Sequence, residues 1–600
     1  MKQENTLKTR QDQLDSDTWD ASSIYKNIEA WEKDFNEIAA KLPLLEQAKG
    51  KIKVSAKSCR EVLDLFYETY RKAELVYTYT KCLIDVDTTN QASSALSQRA
   101  MQLFTRISAA TSFLRPEIMD LPEATAQSYL EDKSLESYQR VLAEILRFRP
   151  HVLTDKEEKL LALGSEALSG AERIFSKLTN ADFDFGTIAW QGQALPLSHS
   201  TFSLYLKDQN QELRKLAHQS YYGVYRAHEN SITEMLVASI ERDVFHARAR
   251  NYSSAREASL FSDNIKPEVY DNLVTSVSTG IACLHRYYQF RKQTLGLKTQ
   301  NIYDTYVPIV EKVETNIAFD EGIEILLSAL RPLGEDYVSV LSTGLKEARW
   351  CDRYENKGKI SGAYSGGCHD TYPFILMNYK ATDIRDLFTL AHEAGHSMHS
   401  YYARKNQAYQ DSDYTIFVAE VASTFNEQLL FRELKKRYAH KPEMLKFLTN
   451  QQIDDIKATF FRQTMFAEFE RDTHATMERH EPLTLEVLRK IYRKLLEKYF
   501  GPSVTISELD ELEFLRIPHF YHAFYVYKYA TGISAAIALS QKVMQGDVVA
   551  RDRYLSFLKT GGAKYPLEVL SEAGVDMTKS DAVNATIARF DELLIELESS

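Results

Sequence analysis

The chain has 600 residues, of which 44% are hydrophobic and 26% are charged, and its formal net charge is −11. This composition is ordinary for a globular protein, and the length predicts two or more domains. The negative charge argues against a nucleic-acid partner, because affinity for a phosphate backbone requires clustered Lys and Arg.

The N-terminal segment, MKQENTLKTRQDQLDSDTWD, lacks the apolar core of a signal peptide. No run of about 18 apolar residues follows that could cross a bilayer. Five cysteines, an odd number without a CxxC pair, do not indicate a disulfide framework. We therefore expect a cytoplasmic protein with no membrane partner, and the oligomeric state is not indicated.

Most of the chain is predicted to be helical, because apolar residues recur at spacings of three and four, as in CREVLDLFYETYRKAELVYTYTKCLIDV. No fixed-period repeat indicates a solenoid. The segment 181–206 interrupts the pattern with alternating residues around Gln191-Gly192, which predicts a β-hairpin. We place a domain boundary near it, which divides the chain into 1–200 and 201–600.

A second interruption, residues 358–383, combines a glycine-rich loop with the apolar run PFILMNY. The run is too short for a typical helix and is bounded by turn residues, so it predicts a strand leading to the next helix. Cys368 in this loop has no recognisable partner and is expected to be inert rather than a nucleophile.

The next helical segment contains HEAGH, in which His392 and His396 are four residues apart. On a helix they lie about 40° apart on one face, separated by roughly 6 Å along the axis, so both imidazoles can reach one ion. Glu393 lies about 100° round the helix from His392, where it can hold a water rather than share the ion. This is the arrangement of a zinc metalloprotease helix.

The motif also occurs by chance, but its surroundings favour the functional interpretation. The segment DLFTLAHEAGHSMHSYYARK is helical throughout, and Asp383 is available as an N-cap. Gly395 inside the helix costs about 1 kcal/mol relative to Ala, which indicates that something packs closely against it.

A catalytic zinc needs a third protein ligand. His399 is on the same face, but it lies about 10 Å along the axis from His392, so it is predicted to be a core histidine or a neighbour of the ligands. The metzincin pattern would require Gly at 399 and His at 402, where this chain has His399 and Tyr402.

The ligand must therefore come from another segment, and YTIFVAEVASTFNEQLLFREL (414–434) is predicted to be an amphipathic helix with Glu420 and Glu427 on one face. Glu420 has the more apolar surroundings, where an unpaired carboxylate would be costly. We predict Glu420 as the third ligand and Glu427 as a group that supports a ligand, and the reverse assignment stays open.

HEAGHSMH followed by FVAEVAST resembles the thimet-oligopeptidase-like zinc metallopeptidases, and most closely their oligoendopeptidase F branch. GAYSGG, PFILMNY and IPHFYHAFYVYKYATG extend the resemblance over roughly 360–535. It implies one zinc ion held by His392, His396 and Glu420, with Glu393 as the general base. It also implies an oligoendopeptidase F-type N-terminal domain and a mainly α, two-lobed clamshell around a deep channel, with a small β element beside the zinc-binding helix.

In the same family a His and one or more Tyr near the C-terminal end stabilise the tetrahedral intermediate. The matching segment is RIPHFYHAFYVYKYATG (516–532), in which His519 is the matching imidazole. The spacing to the tyrosines is shorter here than in the mammalian members. Tyr527 is our choice as the phenolic donor, and the alternatives are Tyr521, Tyr525 and Tyr529. His522 is expected at the surface or in the wall of the groove.

The resemblance implies hydrolysis of internal bonds in short unstructured peptides. A zinc carboxypeptidase on a similar scaffold is the alternative enzyme, and it would need a positive group to capture the substrate C-terminus. A non-catalytic peptide-binding protein with a structural zinc is a third possibility, although such a site has no need of Glu393.

Overall fold

A computed structural model describes residues 7 to 599 of the chain. Within that range 25 α-helices account for most of the structure, together with five short strands. The helices are α1 Ile28–Glu46, α2 Ala56–Ile84, α3 Gln91–Ala110, α4 Leu114–Met119, α5 Glu123–Glu131, α6 Gln139–Leu146, α7 Asp155–Leu168, α8 Gly170–Lys177, α9 His199–Tyr205, α10 Gln211–Ala227, α11 Glu229–Ala249, α12 Ala255–Phe261, α13 Pro267–Gly280, α14 Ala282–Thr294, α15 Phe319–Leu330, α16 Glu335–Lys346, α17 Ile384–Asn406, α18 Ile416–Arg437, α19 Pro442–Ile456, α20 Arg462–Glu478, α21 Leu485–Phe500, α22 Tyr527–Met544, α23 Val548–Thr560, α24 Pro566–Ala573 and α25 Asp581–Glu598. The strands are β1 Thr187–Trp190, β2 Gln193–Pro196, β3 Cys351–Asp352, β4 Tyr364–Gly366 and β5 Phe374–Leu376. The prediction of a mainly α fold is confirmed.

The chain forms two compact units that alternate along the sequence. The first unit contains the described residues up to Arg149, then Glu314–Arg437 and Leu539–Val575. The second contains Pro150–Val313, Tyr438–Ala538 and the described residues from Asp576 onward. The linear division at residue 200, the clamshell and the deep channel stay predictions.

The predicted hairpin lies in the second unit. Strands β1 and β2 pair antiparallel, with Trp190 opposite Gln193. Gln191 and Gly192 between them both have positive φ, at 48° and 79°, which is the backbone conformation of a tight two-residue hairpin turn. The prediction from the alternating pattern is therefore confirmed.

In the first unit, PFILMNY contributes the central strand of a small sheet with the order β3-β5-β4. Strand β5 pairs parallel with β3 and antiparallel with β4, where Ser365 lies opposite Ile375. Phe374 of β5 packs edge-on against Trp19 with ring centroids 5.8 Å apart. The predicted strand is confirmed over Phe374–Leu376, and all three of its residues are buried.

A buried lysine fixes the loop that precedes β4. The Lys359 ammonium donates to Asp352 Oδ1 at 2.6 Å and to the carbonyl oxygens of Tyr354 and Met377 at 2.7 and 2.6 Å. Burial lowers the pKa of Lys359, and the Asp352 carboxylate opposes that shift. These bonds tie the start of the glycine-rich segment to β3 and to the residues that directly follow β3 and β5.

Helices α17 and α18 pack against each other at Gly395. A Cβ at that position would lie 2.5 Å from the Ala422 carbonyl oxygen and 2.6 Å from the Ser423 Cα. The predicted close packing at Gly395 is confirmed, and so is the N-cap, since the Asp383 side chain accepts from the Arg385 amide. Only a residue without a side chain permits this approach of the two backbones.

All five cysteines are buried and none is in a disulfide. Burial raises the pKa of the Cys368 thiol, which agrees with the expectation that it is inert. Among residues 7 to 599 no helix has the length and apolar character needed to cross a bilayer.

Candidate metal centre

Helices α17 and α18 direct three ligand atoms toward one point. His392 Nε2 and His396 Nε2 are 3.2 Å apart. Glu420 Oε2 is 3.3 Å from the first and 3.5 Å from the second. In the part of the chain that the structure describes, these three residues form the one group that meets the geometric requirements of a metal site.

The donor set fits zinc. Nitrogen and oxygen ligands lie about 2.1 Å from zinc, and in a tetrahedral site two such atoms are then about 3.4 Å apart. The three observed separations of 3.2, 3.3 and 3.5 Å bracket that value. Two imidazoles and one carboxylate are also a recurrent catalytic set, which leaves the fourth position for water or substrate.

The charges around the cluster favour a cation at its centre. Burial alone lowers the pKa of His392, but the carboxylates of Glu420 and Glu427 raise it well above its ordinary value. For Glu420 the two effects have the opposite signs. Burial raises the pKa of its carboxyl group, but the imidazoles of His392 and His396 outweigh burial and lower that pKa below its usual range. Protons and a divalent ion therefore compete for the same three ligand atoms.

Two further side chains orient the ligands. Glu427 Oε1 is 2.7 Å from His392 Nδ1, on the opposite side of the ring from the ligand nitrogen. The Ser423 hydroxyl donates to Glu420 Oε2 at 2.9 Å. The Glu427 contact places the His392 proton on Nδ1 and leaves Nε2 with its lone pair for the ion.

Glu393 is buried, with 7% of its surface exposed, in the turn between the two histidines. Burial raises the pKa of its carboxyl group, and the imidazoles of His392 and His396 oppose the shift. The backbone of Ser365 in β4 also interacts with this carboxylate. A carboxylate whose pKa is raised toward neutrality is suited to accept and return a proton.

His399 is a core histidine, as predicted. It is 1% exposed and stacks on Tyr414 with ring centroids 3.6 Å apart. Burial lowers the pKa of His399 to about 3, so its imidazole stays neutral. It does not belong to the group of ligand atoms.

His519 and the competing tyrosines belong to the second unit. His519 is half-buried, and its ring lies 6.4 Å from that of Tyr529, which is also half-buried. Tyr529 in turn contacts Tyr525 at 5.5 Å. Tyr527 is fully buried and packs against Tyr270 at 5.1 Å. The structure thus brings His519 together with Tyr529, and the first turn of α22 directs Tyr527 into the core.

The backbone carbonyl groups between His519 and α22 accept hydrogen bonds from polar side chains of α11 and α12. Arg242 donates to the Tyr521 carbonyl oxygen at 3.0 Å, and Ser259 donates to that of Ala523 at 3.2 Å. Phe524 has a positive φ of 60°, an unusual conformation for a bulky residue. Nothing in the local sequence of α11 or α12 marks Arg242 and Ser259 for this role, and sequence reasoning missed them.

The chain matches two family models. The model for peptidase family M3 matches residues 204–589, and the model described as oligopeptidase F matches residues 117–185. The match to peptidase family M3 includes His392, His396 and Glu420.

Individual relatives are similar over nearly the whole length. Oligopeptidase PepF of Bacillus subtilis is 42% identical over 599 residues, which are 100% of this chain and 89% of that protein. An oligoendopeptidase F homolog of Borreliella burgdorferi is 39% identical, covering 97% of this chain and 98% of its own. The crystal structure of oligoendopeptidase-F from Enterococcus faecium aligns with a TM-score of 0.70 at 34% identity, covering 96% of this chain and 99% of that one. The chain therefore belongs to peptidase family M3, in its oligoendopeptidase F branch.

Proposed function

We propose that this protein is a zinc-dependent oligoendopeptidase that hydrolyses internal bonds of short unstructured peptides. The observation that carries the proposal is the convergence of His392 Nε2, His396 Nε2 and Glu420 Oε2 to within 3.5 Å of one another, beside the buried carboxylate of Glu393. A zinc ion at such a site supplies Lewis-acid activation of water and of the scissile carbonyl.

The role proposed for Glu393 is that of general base and then general acid. Its carboxylate accepts the proton of the attacking water and later returns it to the leaving amine. Burial supports this role, because it raises the pKa of the carboxyl group and so favours proton uptake. Because Glu393 is absent from the ligand set, its carboxylate is available for this transfer.

We propose, on the family resemblance, that His519 and a tyrosine of the same segment donate hydrogen bonds to the developing oxyanion. Partial burial lowers the pKa of His519, so a neutral imidazole with one N–H is favoured. Tyr527 is the choice made from the sequence. Tyr527 is fully buried, whereas Tyr529 is half-buried beside His519, and this difference favours Tyr529 over Tyr527 as the donor.

The test is hydrolysis of an internally quenched peptide by the purified protein. We expect activity to be lost on addition of a chelator and to return with zinc. Mass spectrometry of the products separates the two enzyme classes, since an oligoendopeptidase cuts internal bonds and a carboxypeptidase removes C-terminal residues. A metal-loaded protein that binds peptides without cleaving them would contradict the proposal and favour the non-catalytic alternative.

A further inference from the structure

The turn at Phe524, which separates His519 from Tyr529, has a backbone conformation that its residue type disfavours. Phe524 has a φ of 60°, in the left-handed region that a bulky side chain rarely occupies. The other non-glycine residues with positive φ in the described part of the chain are all polar, namely Gln191, Asn251, Asn264, Arg349 and His480. Such strain persists only where the surrounding structure holds it, and it concentrates at functional sites.

One face of helix α20 meets Phe524. Glu470 and His474 are four residues apart and so lie on the same face of this helix. The Phe524 ring is 1% exposed and packs on the His474 imidazole with ring centroids 4.7 Å apart. The imidazole is fixed in turn, because its Nδ1 donates to the Glu470 carbonyl oxygen at 2.8 Å. Helix α20 thus holds the side chain of Phe524 and places the Glu470 side chain near its backbone.

Glu470 is a buried acid that interacts with the strained backbone. It is 2% exposed, and among the described residues neither of its carboxyl oxygens makes a hydrogen bond of ordinary geometry. Burial raises the pKa of this carboxyl group well above its ordinary value, the Phe524 backbone amide opposes the shift, and the Asp243 carboxylate adds to it. The protonated form is therefore favoured, and its carbonyl oxygen remains an acceptor for the Phe524 amide. A buried acid with so few partners is costly, which indicates a role for it at this place.

Two more helices hold the same turn. Arg242 of α11 and Ser259 of α12 donate to the carbonyl oxygens of Tyr521 and Ala523, just before Phe524. These side chains and Glu470 belong to the same compact unit as the proposed oxyanion donors. The turn is therefore held from three helices, and α20 is the one that acts on the strained residue itself.

We propose that Glu470 is a positioning residue for the oxyanion donors, because its carboxyl oxygen holds the Phe524 amide and with it the turn that sets His519 and Tyr529 in place. The direction of the chain after Phe524 depends on the positive φ, since a change to the ordinary negative region would reorient the start of α22 relative to His519. The His519 and Tyr529 rings, now 6.4 Å apart, would then move relative to each other. The inference rests on the proposed function and adds to it a residue, outside the metal centre, on which transition-state stabilisation depends.

The first test compares Glu470→Met with Glu470→Gln in the metal-loaded enzyme. Met keeps an unbranched side chain of similar length and removes the acceptor oxygen, whereas Gln keeps that oxygen in a neutral group. We expect Glu470→Met to lower kcat by about 10²-fold with KM nearly unchanged, because the misplaced donors serve the transition state. Glu470→Gln should restore most of the kcat. Wild-type kcat in Glu470→Met, or an equal loss in both variants, would overturn the proposal.

Glu468→Met on the same helix is the matched control. Glu468 is a buried carboxylate, 7% exposed, that pairs with Lys498 at 2.7 Å. Its removal should lower Tm without the loss of kcat expected for Glu470→Met. The affinity of a phosphinic peptide, which mimics the tetrahedral intermediate, should fall in Glu470→Met by the same factor as kcat/KM and stay unchanged in the control. An equal loss of kcat in Glu468→Met would show that stability alone is responsible and would contradict the positioning role.

Backbone hydrogen exchange gives a readout that needs no catalysis. In Glu470→Met the fragment 516–532 should exchange about tenfold faster than in the wild type, while fragments of α17 stay unchanged. If Glu470→Met does not fold, Glu470→Asp replaces it, since this variant keeps the carboxyl group and shortens its reach, and the same effects should be smaller. If the wild type hydrolyses no peptide, the proposed function fails, while selectively faster exchange in 516–532 would still support Glu470 as the residue that holds the turn. Unchanged exchange in that fragment would overturn the inference.

Discussion

Glu427 Oε1 and His392 Nδ1 are 2.7 Å apart, a hydrogen bond that joins α18 to α17 on the side of the imidazole away from the ligand atom. It fixes the ring and its tautomer, and it increases the basicity of Nε2. Glu420 and Glu427 thus have different contacts although both are on the same face of α18, since Glu420 Oε2 faces both ligand nitrogens.

For Glu427→Ala we expect metal affinity to fall by about 10- to 100-fold, because a support of this kind typically contributes that much. Glu427→Gln keeps an acceptor and should lose less. Competition with a chromophoric chelator measures both. Glu433→Ala on the same helix is the control, since Glu433 contacts Ser328 and not the cluster. Wild-type affinity in Glu427→Ala would refute the role.

Glu420→Ala should empty the site, whereas His399→Ala should keep most of its metal. The physical reason is that Glu420 Oε2 completes the ligand triangle, while His399 is stacked on Tyr414 in the core. Elemental analysis of the purified variants measures metal per chain. A metal-free His399 variant together with a fully loaded Glu420 variant would show that the ligand assignment is wrong.

Glu393→Gln should bind metal normally and lose about 10²- to 10⁴-fold in kcat, the usual contribution of a general base. The substitution preserves size and removes the carboxylate that accepts the proton. Metal content and kcat are measured on the same preparation. Turnover near that of the wild type would exclude Glu393 as the base.

The two phenol assignments lead to different kinetics. If Tyr527 is the donor, Tyr527→Phe lowers kcat by about 10²- to 10³-fold with little change in KM. If Tyr529 is the donor, Tyr529→Phe instead lowers kcat by that factor. We expect the loss in Tyr529→Phe, because Tyr529 is half-buried beside His519 whereas Tyr527 is fully buried.

His519→Ala should lower kcat by a similar factor, because the imidazole is also proposed to donate a hydrogen bond to the developing oxyanion. Melting curves must accompany these measurements, since removal of a buried hydroxyl also changes stability. Full activity in both Phe variants would argue against a phenol from these two positions.

The helices of the metal centre could be predicted because their signals are local. Four-residue spacing and apolar periodicity predict α17 and α18, and Gly395 predicts that something packs closely against α17, which the structure shows to be α18. The identity of the third ligand could be argued from the apolar surroundings of Glu420. The packing of α17 on α18 determines which nitrogen of His392 faces Glu420. No sequence pattern within either helix contains that information.

The burial of the individual tyrosines in segment 516–532 could not be predicted from the local sequence. Between His519 and α22 the chain makes an irregular turn at Phe524, with positive φ, so helical spacing does not predict which phenols are buried.

Gly395→Ala tests whether the packing of α17 on α18 sets the metal geometry. The added Cβ would meet backbone atoms of Ala422 and Ser423 at 2.5 to 2.6 Å, and backbone cannot rotate away as a side chain can. The two helices must separate, at a cost of typically about 1 to 3 kcal/mol for overpacking, which exceeds the gain of about 1 kcal/mol in helix propensity. Because Glu420 is on one helix and both histidines are on the other, we expect weaker metal binding together with a lower Tm.

Gly223→Ala in α10 is the matched control, since a Cβ there meets nothing within 4 Å and the substitution should be neutral or stabilising. The measurements are chelator competition and thermal unfolding of the metal-free and metal-loaded forms. The metal-loaded form should be destabilised more than the metal-free form, because the displaced helices distort the ligand triangle as well as the core. Equal destabilisation of both forms would show that the contact supports the fold without setting the positions of the ligands.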